Sequence, residues 1–486
     1  MKALGMALVG ATLVLTASPV EAAPNHQSIT WTDAGHCDPV NDKVTCETAE
    51  LRLPVDHARP WAETFELHVA RRKATGARIG VLMVNPGGPG DPGSRLAFQA
   101  VRNYSPEVLE RFDIIAFDPR GVGASRGIRC SADLLARMPM TSPANQSELD
   151  QLIAYNRELR EDCRKHSGPV VDHADTVSVA RDMDALRRAL GERTISYFGH
   201  SYGSLIGQQY AELFPRRVRA MTISANMDHS LGIREFVASS AATAEDSFTS
   251  FTQWCARTES CALHGQDVAA VWERVLAKAD RGVPDPDRPG ATLRTPELIW
   301  RTIGKFKGPD WPGQARLLAT IDAQPAPPAH GFAAGAATES GQTREFSFAA
   351  TFCEDWRFRV TEYREFARLA EIQRAAAPRM RGLPPGRDPV ALCAGWPSAP
   401  NNPQHVLRLD GAPRILMINA RHDPVSAYSW AVNVHRQTRG TTVLLTYDGW
   451  GHAVYQRNDC TRSAVDRYLI DQKLPVADTH CPANPV

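Results

Sequence analysis

Around residues 78–84, 112–117, 194–199, 218–225, 414–419 and 441–447 the chain carries short apolar, β-favouring runs. Runs of this length, bounded by turn residues and acids, predict strands buried on both faces, as in a parallel sheet. The stretch before them reads differently. From 31 to 70 apolar and polar residues alternate, as in Thr64-Phe-Glu-Leu-His-Val-Ala70, which predicts antiparallel strands at a sheet edge. Helical periodicity falls between the buried runs. Val177, Val179, Ala180, Met183, Leu186 and Leu190 trace an amphipathic helix ended by Gly191, and a second helix is predicted over 205–214. Strands alternating with helices predict an α/β fold with a parallel, doubly wound sheet and its active loops at the strands' C-terminal ends.

From about residue 228 to 400 the alternation stops. The pattern there is helical, broken by proline-rich stretches at 283–289, 325–328 and 383–385, and an Ala/Gly-rich piece at 331–340 reads as a linker or loop. Six of the ten tryptophans fall in this region (Trp254, Trp272, Trp300, Trp311, Trp356, Trp396), either lining a pocket or filling a core. The chain is therefore read as a sheet domain over 23–227, a mainly helical cap inserted over 228–400, and a return to the sheet domain over 401–486.

The segment before residue 23 is read apart from the fold. Met1-Lys2 gives a positive start, 3–17 is apolar, and Val20-Glu21-Ala22 is a small-x-small cleavage signal, so 1–22 reads as a secretory signal peptide. No later apolar run reaches the ~18 residues of a membrane span, so no membrane association is expected after cleavage. A length of 486 suits a large core with an insertion, and a net charge of +1 gives no electrostatic case for nucleic acid. Oligomeric state is not encoded in any pattern found. Export changes how the ten cysteines read, because an oxidising compartment favours disulfides. No paired C-x-x-C spacing suggests zinc. Of the many connectivities, pairing of sequence neighbours closes the cheapest loops: Cys37 with Cys46, Cys130 with Cys163, Cys255 with Cys261, Cys353 with Cys393, and Cys460 with Cys481.

The chemistry centres on Gly199-His-Ser-Tyr-Gly203, a Gly-x-Ser-x-Gly between a predicted strand and a predicted helix. That context makes it a nucleophile elbow: the turn strains Ser201, and the flanking glycines let strand and helix approach without a Cβ clash. Upstream, Asn85-Pro-Gly-Gly-Pro-Gly90 follows a buried run and offers backbone N–H groups, for a phosphate or an oxyanion. A phosphate loop wants a lysine that Gly93-Ser94-Arg95 lacks. Asp118 and Arg120 read as a turn stapled by a local ion pair. Asp423 and His452 each follow a C-terminal run, in the order Ser201, Asp423, His452 that an α/β-hydrolase triad requires.

Taken in order, Asn85-Pro-Gly-Gly-Pro-Gly90, Phe117-Asp-Pro-Arg-Gly-Val-Gly123, Gly199-His-Ser-Tyr-Gly203, Asp423-Pro-Val425 and Gly451-His452, with the signal peptide and paired cysteines, resemble the secreted bacterial tripeptidyl aminopeptidase-like serine hydrolases, relatives of proline iminopeptidase. Asp91-Pro92 and Ser426-Ala427 depart from that family's pattern without removing a group the triad needs. The resemblance implies an α/β-hydrolase core with a helical cap, and an exopeptidase that releases short N-terminal fragments from peptides. A secreted esterase or amidase with the same triad, acting on a small acyl substrate, is the alternative, and a non-catalytic binding protein on the same fold a third. Ser201, His452 and Asp423 would act as nucleophile, base and orienting acid, with oxyanion donors at Tyr202 and the Gly87-Gly88 loop. No metal or organic cofactor is required. The resemblance further implies cap acids that bind a free α-amino group. Glu354 and Asp355 are the candidates, unless both are solvated or paired with Arg357 or Arg359.

Overall fold

In the computed structural model, which describes residues 28–38, 41, 44–139, 141–325, 341–382, 387–396 and 399–486, the apolar runs assemble into one ten-stranded sheet. In chain order the strands are β1 (Thr32–His36), β2 (Thr45–Pro54), β3 (Thr64–Arg72), β4 (Gly80–Asn85), β5 (Phe112–Phe117), β6 (Ile195–His200), β7 (Val218–Ser224), β8 (Ile415–His422), β9 (Thr442–Trp450) and β10 (His480–Cys481). Across the sheet they run β1-β2-β3-β5-β4-β6-β7-β8-β9-β10. The alternating segment supplies the antiparallel edge β1-β2-β3, and β3 pairs antiparallel with β5. From β5 onward every pair is parallel. The fold is thus α/β with a mostly parallel sheet, as the pattern requires. β4 and β5 are buried at all six positions each, and their polar residues are Asn85, at the end of β4, and Asp113, whose carboxylate accepts from Arg78 and the Ala74 N–H. The signal-peptide segment 1–22 and the Ala/Gly-rich 331–340 lie outside the described residues.

Helices cover both faces. The amphipathic helix Thr176–Ala189 begins at Asp175, whose side chain accepts from the Ser178 N–H and caps the first turn. One apolar core lies on its side of the sheet, with Val179, Met183 and Leu186 against Tyr197 and Leu205. A second fills the opposite face, between Leu82, Phe112 and Phe198 and residues such as Val465 and Leu469 of the C-terminal helix Asp459–Asp471.

The long helical stretch divides between two places. The helices Val268–Ala279, Thr295–Lys307 and Trp311–Ala323, with the later part of Ile233–Arg257, enclose a separate core around Phe248, Trp272, Phe306 and Trp311. Ser347–Asp355 and the chain around it instead join the core beside the elbow helix, through Phe352, Trp356 and Phe358. Five of the six tryptophans counted in the sequence are buried and pack as core, while Trp300 is exposed. All five cysteine pairs join sequence neighbours: Cys37–Cys46, Cys130–Cys163, Cys255–Cys261, Cys353–Cys393 and Cys460–Cys481.

Arg120 corrects one expectation. It does not staple its own turn to Asp118. Asp118 instead accepts the Ser94 and Ala124 N–H groups, which ties the glycine loop to the end of β5. Arg120, fully buried, reaches Asp182 on the helix Thr176–Ala189 at 2.6 and 2.7 Å and donates to the Val55 and Pro54 carbonyls. Burial alone would raise the Asp182 pKa, but the Arg120 charge and its hydrogen bonds outweigh it and hold the carboxyl below its ordinary value. A guanidinium has five donors, and one carboxylate in the next turn cannot satisfy them all.

Candidate active site

The elbow is built as the sequence demands. β6 ends at His200, and the helix Tyr202–Leu213 begins one residue after Ser201. Ser201 takes φ 56° and ψ −124°, a region an L-residue occupies only when its surroundings enforce it. Its N–H donates to the Ser224 carbonyl at 2.9 Å, and its own carbonyl accepts from the Ser204 N–H at 2.8 Å. Gly203 has to be glycine, because a Cβ there would meet Asn85 Oδ1 at 2.7 Å and the Asn85 carbonyl at 2.8 Å.

Asp423 follows the last residue of β8, and His452 stands two residues past β9. Since β8 and β9 are parallel neighbours, both turns emerge at the same edge. His452 Nδ1 lies 3.0 Å from Asp423 Oδ1 and 2.9 Å from Oδ2. Asp423 is fully buried, and its Oδ1 also accepts the Val425 and Ser426 N–H groups at 2.8 and 2.9 Å. These donors stand in for water around the carboxylate and fix its direction. The His452 N–H donates to the Lys307 carbonyl at 3.0 Å, a C-terminal group of the helix Thr295–Lys307 that finds no acceptor role within the helix itself. Nothing in the sequence around Lys307 signals this brace.

The glycine loop lies against the elbow. Gly87 has φ +93°, and a Cβ on it would sit 2.5 Å from the His200 carbonyl and 2.7 Å from the Tyr202 nitrogen. Its N–H is donated to Asn85 Oδ1 at 2.9 Å. Gly87 therefore serves the expected oxyanion loop by close approach, not with its own N–H. Tyr202 occupies the first helical position, where an N–H has no partner inside the helix. Asn85 was legible only as the start of the loop, although a buried asparagine at a strand end is itself a signal.

Glu354 and Asp355 are both buried, and neither is solvated nor held by Arg357 or Arg359. Asp355 Oδ1 accepts the Thr176 N–H, the Thr176 hydroxyl and Asn402 Nδ2, each at 2.9 Å, and Oδ2 accepts the Tyr202 hydroxyl at 2.8 Å. Glu354 accepts the Trp396 indole N–H at 2.9 Å and the Asn401 N–H at 3.3 Å. Carboxylates engaged in this way present no open face to a substrate ammonium, which corrects the expectation of an amino-terminus clamp at this pair. Burial, and then the nearby Asp175, push the Asp355 pKa up to about 7. What Asp355 touches is the elbow. The Tyr202 hydroxyl donates to it and accepts the Trp356 indole N–H at 3.1 Å, so this residue is gripped from the helix Ser347–Asp355.

His200, between Phe198 and Ser201, places its ring 4.5 Å from that of His452 in an edge-on arrangement. Burial, then the charges of His452 and Lys307, hold its pKa well below the usual histidine value. A neutral His200 adds no second positive charge beside the His452 ring.

Comparison with known proteins agrees with this fold. Residues 80–315 match the family model of the α/β-hydrolase fold, and residues 386–481 match that of TAP-like proteins. Serine protease Hip1 of Mycobacterium tuberculosis is 31% identical over 521 residues, spanning 99% of this chain and 96% of the relative. Tripeptidyl aminopeptidase of Streptomyces lividans is 29% identical, spanning 89% and 82%. Carboxylesterase B of Mycobacterium tuberculosis is 32% identical, spanning 90% and 86%. With one relative aligned end to end and a Gly-x-Ser-x-Gly elbow between parallel strand and helix, the chain belongs to the α/β-hydrolase family, among its TAP-like serine hydrolases.

Proposed function

We propose that this chain is an exported serine peptidase that releases short N-terminal fragments from peptides, with Ser201 as nucleophile, His452 as base and Asp423 as orienting acid. One arrangement carries the reading: both Asp423 oxygens lie within 3.0 Å of His452 Nδ1, at the same sheet edge as the strained Ser201. Similarity to relatives named serine protease and tripeptidyl aminopeptidase supplies the substrate class. Export is supported by the pattern of residues 1–22 and by the five disulfides. Among the described residues, no helix is long and apolar enough to cross a membrane.

His452 Nε2 takes the Ser201 hydroxyl proton as Oγ bonds to the substrate carbonyl carbon. Asp423 fixes the proton on Nδ1 and stabilises the imidazolium. The oxyanion accepts the Tyr202 N–H and the Gly88 N–H, each donor contributing about 3 kcal/mol. His452 then gives its proton to the leaving nitrogen and the C–N bond breaks. A water, deprotonated by His452, attacks the acyl-enzyme, and Ser201 recovers its proton.

A carboxylesterase reading has its own support: the relative named carboxylesterase B, and the burial of the two acids expected to hold an α-ammonium. Free and N-blocked peptide amides, assayed beside p-nitrophenyl esters of the same acyl groups, separate the two. A peptidase cleaves the free peptides faster than the blocked ones; hydrolysis of esters alone supports the esterase. Ser201→Ala should lower either rate by at least about 10³-fold with an unchanged circular dichroism spectrum. Wild-type-like turnover by that variant would remove Ser201 from the mechanism.

A further inference from the structure

A cavity of about 420 Å³ opens beside the triad without including any of its members. Three of the four segments that build the site contribute a neighbouring residue to its wall, the Asp423 turn being the exception. Asn85 and Pro86 precede Gly87, His200 precedes Ser201, and 453–457 follow His452. Its lining combines two chemistries. Tyr104, Phe198 and Tyr455 form a mutually packed wall of rings, with centroids 5.5–6.1 Å apart. The Tyr455 hydroxyl donates to Asp466, so what it turns to the cavity is its ring. Asn85, Ser224 and Asn103 also line the cavity, but Asn85 Nδ2, Ser224 Oγ and Asn103 Nδ2 are shielded from solvent and find no hydrogen-bond partner among the described residues. No aspartate or glutamate lines the cavity, and Arg457 does.

From this arrangement we propose that the cavity is the leaving-group subsite. It takes the residue on the far side of the scissile bond when that residue carries an apolar or aromatic side chain, and it rejects a cationic one. The proposal rests on the reading of Ser201 and His452 given above. The proton for the leaving nitrogen comes from His452, so the departing group lies along the loop that carries His452, and the continuation of that loop is the cavity wall. The rings accept the side chain of the leaving residue. A lysine or arginine there would meet the Arg457 charge with no anion in the lining to receive it.

The test uses one acyl segment followed by Phe, Leu, Gly or Lys. The Phe and Leu peptides should exceed the Lys peptide in kcat/KM by tenfold or more. Leu96→Trp and, independently, Val454→Trp, each of which fills the cavity from its lining, should reduce the Phe-to-Gly ratio at least tenfold. A Lys peptide cleaved as well as the Phe peptide, or ratios unmoved in whichever variant folds, overturns the proposal. If wild-type protein hydrolyses esters but no peptide, the peptidase reading fails while the subsite is still read directly. The acyl-enzyme formed from a p-nitrophenyl ester is then partitioned between water and added Phe-amide or Lys-amide. Capture by Phe-amide at least tenfold better supports the subsite, and equal capture overturns it. A wild type inert on both substrate classes overturns both.

Discussion

Residues 233–323 and 343–409 read alike in sequence, as helical and proline-broken chain, yet they bury their apolar residues in different places and brace different halves of the site. The first segment largely encloses its own core and meets the candidate site at two groups on the Asp423–His452 side. The Lys307 carbonyl accepts the His452 N–H, and the Thr243 hydroxyl donates to the Asp423 carbonyl. The second is continuous with the core beneath the elbow and grips the Ser201 side, where Asp355 holds the Tyr202 hydroxyl. A segment with its own core can change internally and leave the site alone. One that shares the elbow's core cannot.

The sharpest way to break the comparison is Asp355→Ala. It leaves the donors of Thr176, Asn402 and Tyr202 inside the protein without their acceptor. The expected loss is about 3–5 kcal/mol of stability in urea denaturation, since several buried donors are left unsatisfied at about 1–3 kcal/mol each. In the folded fraction kcat should fall on the order of 10²-fold, because Tyr202 loses its anchor and shifts against the oxyanion. A variant as active as wild type would mean that Asp355 stabilises the fold without positioning the elbow.

The counterpart in the first segment is Trp272→Ala. Trp272 is fully buried, packs on Phe248 at 5.1 Å and donates its indole N–H to the Arg379 carbonyl. Its removal should cost about 3–5 kcal/mol. The folded fraction should keep kcat/KM within about threefold, since the change is distant from the site groups. A large kinetic loss here would erase the distinction between the two segments.

Acidity supplies a finer contrast. The folded protein holds the Asp355 proton up to about pH 7, whereas an ordinary aspartate releases it near 3.8. Between those values the native state binds more protons than the unfolded chain, so this group's contribution to stability falls as pH rises and is lowest above pH 7. Asp355→Asn removes the titration. Relative to wild type, the variant should gain about 2 kcal/mol on going from about pH 5.5 to about pH 8, read from paired urea midpoints. An unchanged gap would place the Asp355 carboxyl in the ordinary range.

The smallest expected difference concerns the disulfides. Cys353–Cys393 closes a separation of 40 residues in the second segment, and Cys255–Cys261 one of 6 in the first. Loop entropy alone makes loss of the longer bridge costlier by about 1.5–2 kcal/mol. Paired Cys→Ser variants compared in urea measure the difference, and equal losses would put native-state strain or residual unfolded structure ahead of loop entropy.

The strands, the elbow and the order of Ser201, Asp423 and His452 were determined by the sequence alone, because each depends on a local pattern. An apolar run chooses a buried strand, glycines permit the turn, and an acid or histidine past a strand end lands at the sheet's C-terminal edge. The disulfide pairing was legible for a similar reason, since neighbouring cysteines close the shortest loops. Only the tertiary structure decided the partners of buried polar groups. Asp118 and Arg120 are two residues apart yet serve different networks, and Asp355 meets Tyr202 across 153 positions of chain. A buried hydrogen-bonding group takes whatever acceptor packing brings within about 3 Å, and packing is set by apolar surfaces far from it in sequence. Adjacent acids beside a cysteine and a tryptophan therefore read as a substrate clamp, until the core that encloses them is known.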